Sequence, residues 1–308
     1  MATNPAPLTK FLPTTRYLLG GRRHVLVVWP DQGPVSQNWG DKLNPWLVAR
    51  LSGRPVMQPA HVSGRVRRDQ YAVIGSYLGD IKPGIKVWGG GCTRFSDRPR
   101  VRLADVCAVR GPLSVGKLSH LGDVSALPLG DPALLMPLLY NGPARKTHRL
   151  GLISHFRENH LPLFDDPQSD PAIKRINITG GIEAVVDAVL GCEAIVTSSL
   201  HGAILAHAYG IPATVVSASN LPLGDGFKFL DYLHSVGLAD PGVIPCDNRS
   251  QLLAAADLAR RPARLPDMRR LLDACPFLDP AIATPLRARI PNAYRWLDPA
   301  SQPALQGN

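Results

Sequence analysis

Along this chain, short runs of β-branched and other apolar residues alternate with glycine-rich turns and with segments of helical apolar spacing. Because strands that alternate with helices assemble into parallel sheets covered by those helices, the pattern predicts an α/β fold. The predicted strands are residues 24–29, 71–74, 86–88, 105–109, 125–129, 150–154, 173–178, 194–197 and 214–217. The predicted helices are residues 41–51, 112–121, 133–139 and 182–190, with one more running from the 198–202 turn to residue 209.

The alternation is interrupted at residues 141–148, which are polar and turn-like, and a second series of strands and helices follows them. At about 150 residues per domain, a chain of 308 residues is long enough for two domains. We therefore predict one domain at 1–145 and another at 146–308. The chain after residue 260 is rich in Arg, Pro and Ala, and we expect residues 285–308 to cross back onto the first domain.

The composition and charge limit the classes of partner that are expected for this chain. Hydrophobic residues make up 45% of the chain and charged residues 19%, which excludes a disordered chain. A net charge of +10 favours an anionic partner, and nucleic acid, an acidic membrane surface and a phosphorylated substrate all fit it. No apolar run reaches the roughly 18 to 20 residues that span a bilayer, and the first ten residues do not resemble a signal peptide. These features predict a cytoplasmic protein.

Five cysteines are dispersed along the chain and never spaced as Cys-x-x-Cys, so we interpret them as reduced and mostly packed. No spacing of His or carboxylate residues indicates a metal site. The chain also lacks the P-loop motif and the Gly-x-Ser-x-Gly motif, which argues against a P-loop ATPase and an α/β-hydrolase.

Ligands of parallel sheets bind beyond the carboxyl ends of the strands, where helix N-termini present free backbone N–H groups. The turns at those ends are residues 38–41, 75–76, 89–91, 110–111, 130–131 and 198–202.

Three of these turns carry groups suited to an anion. Arg110 follows a strand and can grip a carboxylate or phosphate, or it can form a surface salt bridge. His201 lies in the first turn of a helix. There it can contact a ligand, or local backbone groups can satisfy its hydrogen bonds. The glycines at 89–91 let a backbone approach a ligand, or they form a tight turn. Asp41 and Asp131 open helices and are expected to cap them.

Taken in order, these turns and their flanking residues resemble the polysaccharide pyruvyltransferase family over roughly residues 25–235. Singly each segment is weak, but the ordered set is specific. The matching segments are residues 38–41 (NWGD), 87–91 (VWGGG), 108–114 (AVRGPLS), 129–135 (LGDPALL), 198–212 (SSLHGAILAHAYGIP) and 228–232 (KFLDY).

The resemblance implies two Rossmann-like domains that face each other across a cleft, similar to B-type glycosyltransferases. It implies transfer of pyruvate from phosphoenolpyruvate onto two hydroxyls of a sugar in an exopolysaccharide or cell-surface glycan precursor. The products would be a cyclic ketal and phosphate, with no cofactor or metal beyond the phosphoenolpyruvate co-substrate.

The resemblance also assigns residues. His201 matches the catalytic histidine, and Ser199 stands where some members have the arginine of an Arg-Leu-His segment, which leaves the second anion contact open. Asn38 and Asp41, from the first domain, are expected to face the acceptor. The implied donor-binding residues are Arg110, Ser198, Ser199, Leu200, Gly202, His155, Gly89 and Gly90.

The expected acceptor is a lipid-linked oligosaccharide, with peripheral contact at the inner face of the cytoplasmic membrane, where the basic segment after residue 260 suits an anionic surface. The main alternative is a nucleotide-sugar glycosyltransferase with the same two-domain fold, in which Glu183 or Asp187 would bind the ribose of the nucleotide. Nucleic-acid binding is not favoured, because only 6% of residues are aromatic and no RNA-binding signature is present.

Overall fold

The computed structural model describes residues 24–62, 68–143, 145–165 and 170–298. It contains two five-stranded parallel sheets, one in each half of the chain, which confirms the α/β prediction. The first ten residues, on which the expectation about a signal peptide rests, lie outside the described part, as do residues 299–308 at the end of the segment expected to cross back.

The first sheet runs in the order β2-β1-β3-β4-β5 and every neighbouring pair is parallel. In this order the chain moves to one side of β1 for β2 and to the other side for β3. The gap between β1 and β3 is thus a switch point, where ligands of open parallel sheets bind. Its strands are β1 (Val25–Val27), β2 (Val56–Met57), β3 (Gln70–Ala72), β4 (Ile85–Trp88) and β5 (Val106–Ala108).

The second sheet repeats this plan, in the order β10-β9-β8-β6-β7, again with parallel neighbours. Its switch point lies between β6 and β8, since β7 is added on one side of β6 and β8 on the other. Its strands are β6 (His148–Ile153), β7 (Ile173–Arg175), β8 (Cys192–Thr197), β9 (Ala213–Ser217) and β10 (Val243–Pro245).

Helices occupy most of the connections between strands. The α-helices are α1 (Trp39–Ser52), α2 (Pro112–Leu118), α3 (Met136–Leu139), α4 (Ile182–Leu190), α5 (Leu200–Ala208), α6 (Phe227–Ser235), α7 (Arg249–Ala254), α8 (Met268–Asp273) and α9 (Pro280–Ala293). Short 3-10 helices cover Pro34–Gln37, Pro59–His61, Leu103–Asp105, Ser119–Leu121, Pro132–Leu135, Phe156–Glu158, Pro162–Phe164, Ala255–Leu258 and Arg295–Leu297.

The strand predicted at 125–129 is wrong. There the chain forms only an isolated bridge from Leu129 to Val109. Pro128 accepts a hydrogen bond from the Val109 N–H but has no N–H of its own to continue a ladder. Residues 124–127 form a turn instead, closed by the Leu127 N–H on the Val124 carbonyl at 3.1 Å.

The chain after residue 260 packs against the first half. Phe277 meets the rings of Tyr71 and Trp88 edge to face, with centroids 5.1 and 5.5 Å apart. The Trp88 indole N–H donates to the Leu271 carbonyl at 2.9 Å. Tyr294, just after α9, donates its hydroxyl to the Leu134 carbonyl at 2.7 Å. The C-terminal helices thereby complete the core beneath the first sheet.

Of the described helices, none combines the length and apolarity needed to cross a bilayer. All five cysteines are free thiols and four of them are buried, as the sequence predicts for packed residues.

Candidate functional site

A cavity of about 460 Å³ lies where the two switch points meet. The first half contributes residues that follow β1 and β3, together with the start of α1. The second half contributes residues that follow β6 and β8, together with the start of α5. Because each sheet presents its switch point to the same space, this cavity is the candidate site.

His201 lies in the first turn of α5, in the cavity wall. Ser199 caps that helix, and its hydroxyl accepts the Gly202 N–H at 3.4 Å. His201 Nε2 lies 3.7 Å from Asp131 Oδ2, and neither atom has a hydrogen-bond partner among the described residues. Local backbone therefore does not satisfy Nε2, which is buried beside a carboxylate.

Gly40 determines how closely the imidazole approaches α1. A Cβ atom on Gly40 would lie 2.1 Å from His201 Nδ1 and 2.3 Å from its Cε1, far inside van der Waals contact. A side chain at this position is therefore excluded while His201 keeps its place. The Asn38 side chain caps α1 by accepting the Gly40 N–H at 3.2 Å, which fixes the turn that carries this contact.

Asp41 follows in the same turn and lines the cavity. It is 7% exposed, and burial raises its pKa to about 6, against the opposing effects of the His201 charge and the Asn38 hydrogen bond. Its carboxyl group therefore exchanges a proton near neutral pH, a property suited to moving a proton. Asn38, and not Asp41, is the cap of this helix.

Asp131 does cap a helix, as predicted, by accepting the Ala133 N–H on Oδ1 at 2.9 Å. This leaves Oδ2 for His201. One carboxylate thus fixes the start of the 3-10 helix Pro132–Leu135 and also lies within ion-pair distance of the imidazole, where it favours the protonated ring.

Tyr77 lines the cavity between these groups. Its hydroxyl is buried without a described hydrogen-bond partner. Burial raises the pKa of this phenol well above its ordinary value, and the carboxylates of Asp131 and Asp41 raise it further, so the group stays protonated.

The glycines at 89–91 serve packing in this structure. A Cβ on Gly90 would meet the Tyr77 ring at 2.8 Å, and one on Gly91 would meet the Arg110 guanidinium at 2.5 Å. Gly89 has φ +87°, and a Cβ there would lie 2.1 Å from Pro132. The space beside these glycine backbones, where a ligand was predicted to approach, is therefore filled by neighbouring side chains. Neither Gly89 nor Gly90 lies in the cavity wall.

Arg110 is fully buried behind the wall. Its Nε and Nη2 both lie 3.0 Å from Asp231 Oδ2. Nη1 donates to Ser76 Oγ at 2.6 Å, and Nη2 donates to the Cys92 carbonyl at 2.7 Å. Ser76 lines the cavity and Arg110 does not. Arg110 therefore forms neither the predicted direct contact with a donor substrate in this cavity nor a surface salt bridge. Buried acceptors bind its guanidinium instead.

Ser198 and Gly202 also lie outside this wall. The Ser198 hydroxyl donates to Glu158 and accepts the His155 N–H at 2.8 Å, so it joins the ends of β6 and β8. Glu158 and Ser198 line a separate cavity of about 370 Å³. The six predicted residues that do line the main cavity are Asn38, Asp41, His155, Ser199, Leu200 and His201.

His155 is 8% exposed at the end of β6. Burial, reinforced by the charges of Lys228, Arg157 and His201, lowers its pKa to about 3, so the ring is neutral at physiological pH. Nδ1 accepts the Arg157 N–H at 3.3 Å, which places the N–H of the neutral ring on Nε2. His155 can therefore donate a hydrogen bond in the cavity but does not supply positive charge there.

Several residues of the site were not predicted. Lys228 and Asp131 belong to motif segments of the sequence, and Ser76 belongs to one of the strand-end turns, so a signal for them was present. Arg157 and Tyr77 carry no such signal, because only the folded chain brings them to the wall. Among them, Ser76, Tyr77, Arg157 and Lys228 line the cavity, and Asp131 lies within ion-pair distance of His201.

The carboxylates that the glycosyltransferase alternative requires lie elsewhere. Glu183 accepts a hydrogen bond from Arg50 at 2.9 Å, and Asp187 accepts one from the Tyr140 hydroxyl at 2.8 Å. Both residues belong to α4 and neither lines the cavity.

The fold and the site thus define an α/β protein with two parallel sheets of the same strand order and a cavity, with a histidine in its wall, where their switch points meet. Within this class, residues 90–220 match the family model for polysaccharide pyruvyl transferase. This match and the relatives described next confirm the resemblance to the polysaccharide pyruvyltransferase family that the sequence predicts.

Two curated relatives extend the comparison. Over 136 residues, 42% of this chain, the sequence is 32% identical to the uncharacterized protein L143 of Acanthamoeba polyphaga mimivirus, of which 47% is covered. Over 152 residues, 48% of this chain, it is 29% identical to the succinoglycan biosynthesis protein ExoV of Rhizobium meliloti (strain 1021), of which 46% is covered. The alignments span about half the length of these curated relatives.

Proposed function

We propose that this protein transfers pyruvate from phosphoenolpyruvate onto two hydroxyls of a sugar in a polysaccharide or glycan precursor, forming a cyclic ketal and releasing phosphate. The observation that carries the proposal is His201 Nε2, buried 3.7 Å from Asp131 in a cavity shared by both halves of the chain. The family match over residues 90–220 and the similarity to a succinoglycan biosynthesis protein support it.

The cavity suits two substrates. A three-carbon donor fills only part of about 460 Å³, so a sugar ring can occupy the rest. Ser199 and Leu200 at the start of α5, with His155, form the proposed donor side, where a helix N-terminus favours an anion. Asn38 and Asp41 form the proposed acceptor side.

In the proposed reaction, His201 in its protonated form donates a proton to the methylene carbon of phosphoenolpyruvate, and C2 becomes an oxocarbenium-like centre. Asp131 stabilises the imidazolium. One sugar hydroxyl adds to C2, the C2–O bond to phosphate breaks, and a second hydroxyl closes the ketal. Of the two hydroxyl protons, one restores the protonated histidine and the other leaves with hydrogen phosphate. Asp41, whose pKa burial raises to about 6, is proposed to relay one of these two protons.

The test is incubation of the protein with phosphoenolpyruvate and a panel of lipid-linked or aryl glycosides, with products identified by mass and phosphate measured. His201→Gln should abolish turnover and leave donor binding nearly unchanged. His160→Gln changes an exposed histidine outside the cavity and is the matched control. Normal turnover in His201→Gln would remove His201 from the mechanism. Release of a nucleoside diphosphate from a sugar nucleotide, without phosphate from phosphoenolpyruvate, would establish the glycosyltransferase alternative instead.

The proposed acceptor is a lipid-linked oligosaccharide, met by a cytoplasmic protein at the inner face of the membrane. The net charge of +10 supports this setting, because a basic surface is attracted to anionic lipid and to a pyrophosphate linker. Binding to vesicles that contain anionic lipid, compared with neutral vesicles at the same salt concentration, tests the membrane contact.

A further inference from the structure

Two loops that border the mouth of the main cavity, residues 93–97 and 219–226, expose large apolar side chains; we call them the mouth loops. Single exposed apolar residues are ordinary on a protein surface, but a group of them marks contact with another molecule. Leu258 lies apart from the group, beside the start of β9. The large apolar side chains exposed in the described part of the chain are Phe95 (50%), Leu221 (42%), Leu223 (53%) and Leu258 (38%).

The mouth loops contact each other at the edge of the cavity. The Phe95 N–H donates to Asp225 Oδ2 at 2.9 Å. A Cβ on Gly224, which has φ +113°, would lie 2.9 Å from the Thr93 carbonyl oxygen, so the two backbones approach closely. Thr93 and Leu223 both line the main cavity. Since Leu223 is also more than half exposed, it lies where the cavity opens to solvent.

Phe95 is held in its exposed position. Its ring packs edge to face on the buried ring of Phe227, with centroids 5.1 Å apart. Its N–H is bound by Asp225, and its carbonyl accepts a hydrogen bond from Lys117 Nζ. Because both backbone groups and one side of the ring are engaged, the rest of the ring faces solvent at a fixed place beside the cavity.

A basic stretch follows the first mouth loop. Residues 98–102 alternate between exposed and buried, and each exposed residue is an arginine. Within the described part of the chain, Arg98 and Arg100 form no side-chain hydrogen bond and no ion pair, whereas Arg102 binds Asp105. The exposed arginines of residues 93–102 are Arg94, Arg98, Arg100 and Arg102.

The carboxylates of the mouth loops are engaged by the loop backbone. Asp97 accepts the N–H groups of Thr93 and Arg94 at 2.7 and 3.0 Å. Asp225 accepts the N–H groups of Phe95 and Phe227 at 2.9 and 3.3 Å. Exposed guanidinium groups therefore stand next to an apolar surface and are free to bind an anionic group outside the protein.

We propose that the mouth loops and the arginines at 98–102 form the surface with which this protein docks on an anionic lipid bilayer. The apolar side chains enter the boundary between headgroups and acyl chains, and the guanidinium groups bind lipid phosphates. The choice of a bilayer rests on the proposed function, because the sugar of a lipid-linked acceptor could then enter the cavity while its lipid stays in the membrane.

The basic segment after residue 260, which the sequence predicts for an anionic surface, begins elsewhere. Arg260 forms a bridge with Ala213, the first residue of β9. The cavity lies at the carboxyl ends of the strands, so this segment begins at the opposite edge of the second sheet. A bilayer bound there would not face the cavity mouth.

The first test is co-sedimentation of the full chain with vesicles of phosphatidylcholine, with and without phosphatidylglycerol, at one salt concentration. The wild type should bind the anionic vesicles. Arg98→Gln combined with Arg100→Gln should weaken this binding roughly 30-fold, about fivefold for each arginine. The matched control combines Arg261→Gln with Arg264→Gln. It removes the same charge from exposed arginines of the other basic segment and should leave the binding nearly unchanged.

The second test removes apolar surface. Phe95→Ser combined with Leu221→Ser should weaken binding to anionic vesicles at least about 10-fold, and neither residue lines the cavity. Leu258→Ser, the matched control, should have no effect. Circular dichroism checks that each variant is folded. Leu221→Ser alone, which should weaken binding severalfold, and Phe95→Trp, which should retain it, keep the test valid if the double variant does not fold.

Absence of wild-type binding to anionic vesicles, or equal losses in the mouth variants and their controls, would overturn the proposal. Dimerisation of the wild type that Phe95→Ser with Leu221→Ser abolishes, with vesicle binding unchanged, would assign the surface to a second copy of the chain instead. The proposed function is measured separately, on a water-soluble aryl glycoside. If the wild type binds vesicles through the mouth loops but converts no glycoside, the docking surface stands and pyruvyl transfer fails. If it converts the aryl glycoside but binds no vesicle, pyruvyl transfer stands and the docking surface fails.

Discussion

The buried ion pair between Arg110 and Asp231 should dominate the attachment of α6 to the first half of the chain. Both side chains are 0% exposed. Asp231 Oδ2 lies 3.0 Å from two guanidinium nitrogens and 2.6 Å from Ser114 Oγ, and Oδ1 accepts the Ser114 N–H at 2.9 Å. Removal of the carboxylate by Asp231→Ala would leave a guanidinium and a backbone N–H buried without these acceptors.

The magnitude follows from burial. Breaking one side of a buried pair costs about 3–5 kcal/mol, because the remaining charge has neither water nor a counter-charge. Domains are typically stable by only about 5–15 kcal/mol, so Asp231→Ala should remove a large part of the free energy of unfolding. The double variant Arg110→Met with Asp231→Leu leaves no unpaired charge. It should be less destabilised than the sum of the two single changes, by at least about 1–3 kcal/mol.

Urea titration at pH 7, followed by tryptophan fluorescence and circular dichroism, measures these free energies by linear extrapolation. Glu183→Gln is the matched control, because it removes one charge from an ion pair of 2.9 Å whose side chains are 41% and 45% exposed. That change should cost about 0–1 kcal/mol. A loss in Asp231→Ala no larger than in Glu183→Gln, or strict additivity in the double variant, would refute the reasoning.

Three further changes test the site. Gly40→Ala should lower kcat by roughly 100-fold, because its Cβ would displace the His201 ring; an unchanged kcat would contradict the close approach. Burial raises the pKa of Asp41 from 3.8 to about 6, so its contribution to stability is full below pH 3.8 and is lost as the pH rises through 6. Asp41→Asn should abolish this loss of roughly 3 kcal/mol in urea titrations at pH 4 and 7, and an identical pH dependence in both proteins would count against it. The pKa of His155 is lowered from 6.5 to about 3, so stability is present above pH 6.5 and falls towards pH 3. His155→Gln should flatten that fall in the same titrations, and a fall as steep as the wild type's would assign it to other groups.

The sequence predicts the fold well where an element is long and its pattern is local. The helix α4 begins and ends at the predicted residues, because its apolar spacing and its flanking glycines are both local signals. The strands β2 and β10 were not predicted, since β2 has two residues and β10 has three, one of them proline. Both lie at sheet edges, where pairing with an existing strand determines the conformation more than residue preference does.

The site was predictable to the extent that its residues follow strand ends. His201, Asp41 and His155 reach the cavity because parallel strands present their carboxyl ends at one edge of each sheet. Arg110 also follows a strand, yet a partner 121 residues later, Asp231, draws its guanidinium inward. Contacts across such separations have no local signal, and the same reason explains why Tyr77 was not predicted.

If the protein has the proposed function, the charged groups around the cavity also indicate which wall binds each substrate. Asp41 and Asp131 lie around His201 on the side of the first half, and carboxylates there disfavour an anion and favour a hydroxyl. Tyr77 adds a buried hydroxyl to the same side, and leaving such a group without a hydrogen bond costs about 1–3 kcal/mol. Lys228 approaches from the second half. On the proposed function, these charges favour the sugar hydroxyls at the wall formed by the first half and the anionic donor at the wall formed by the second half.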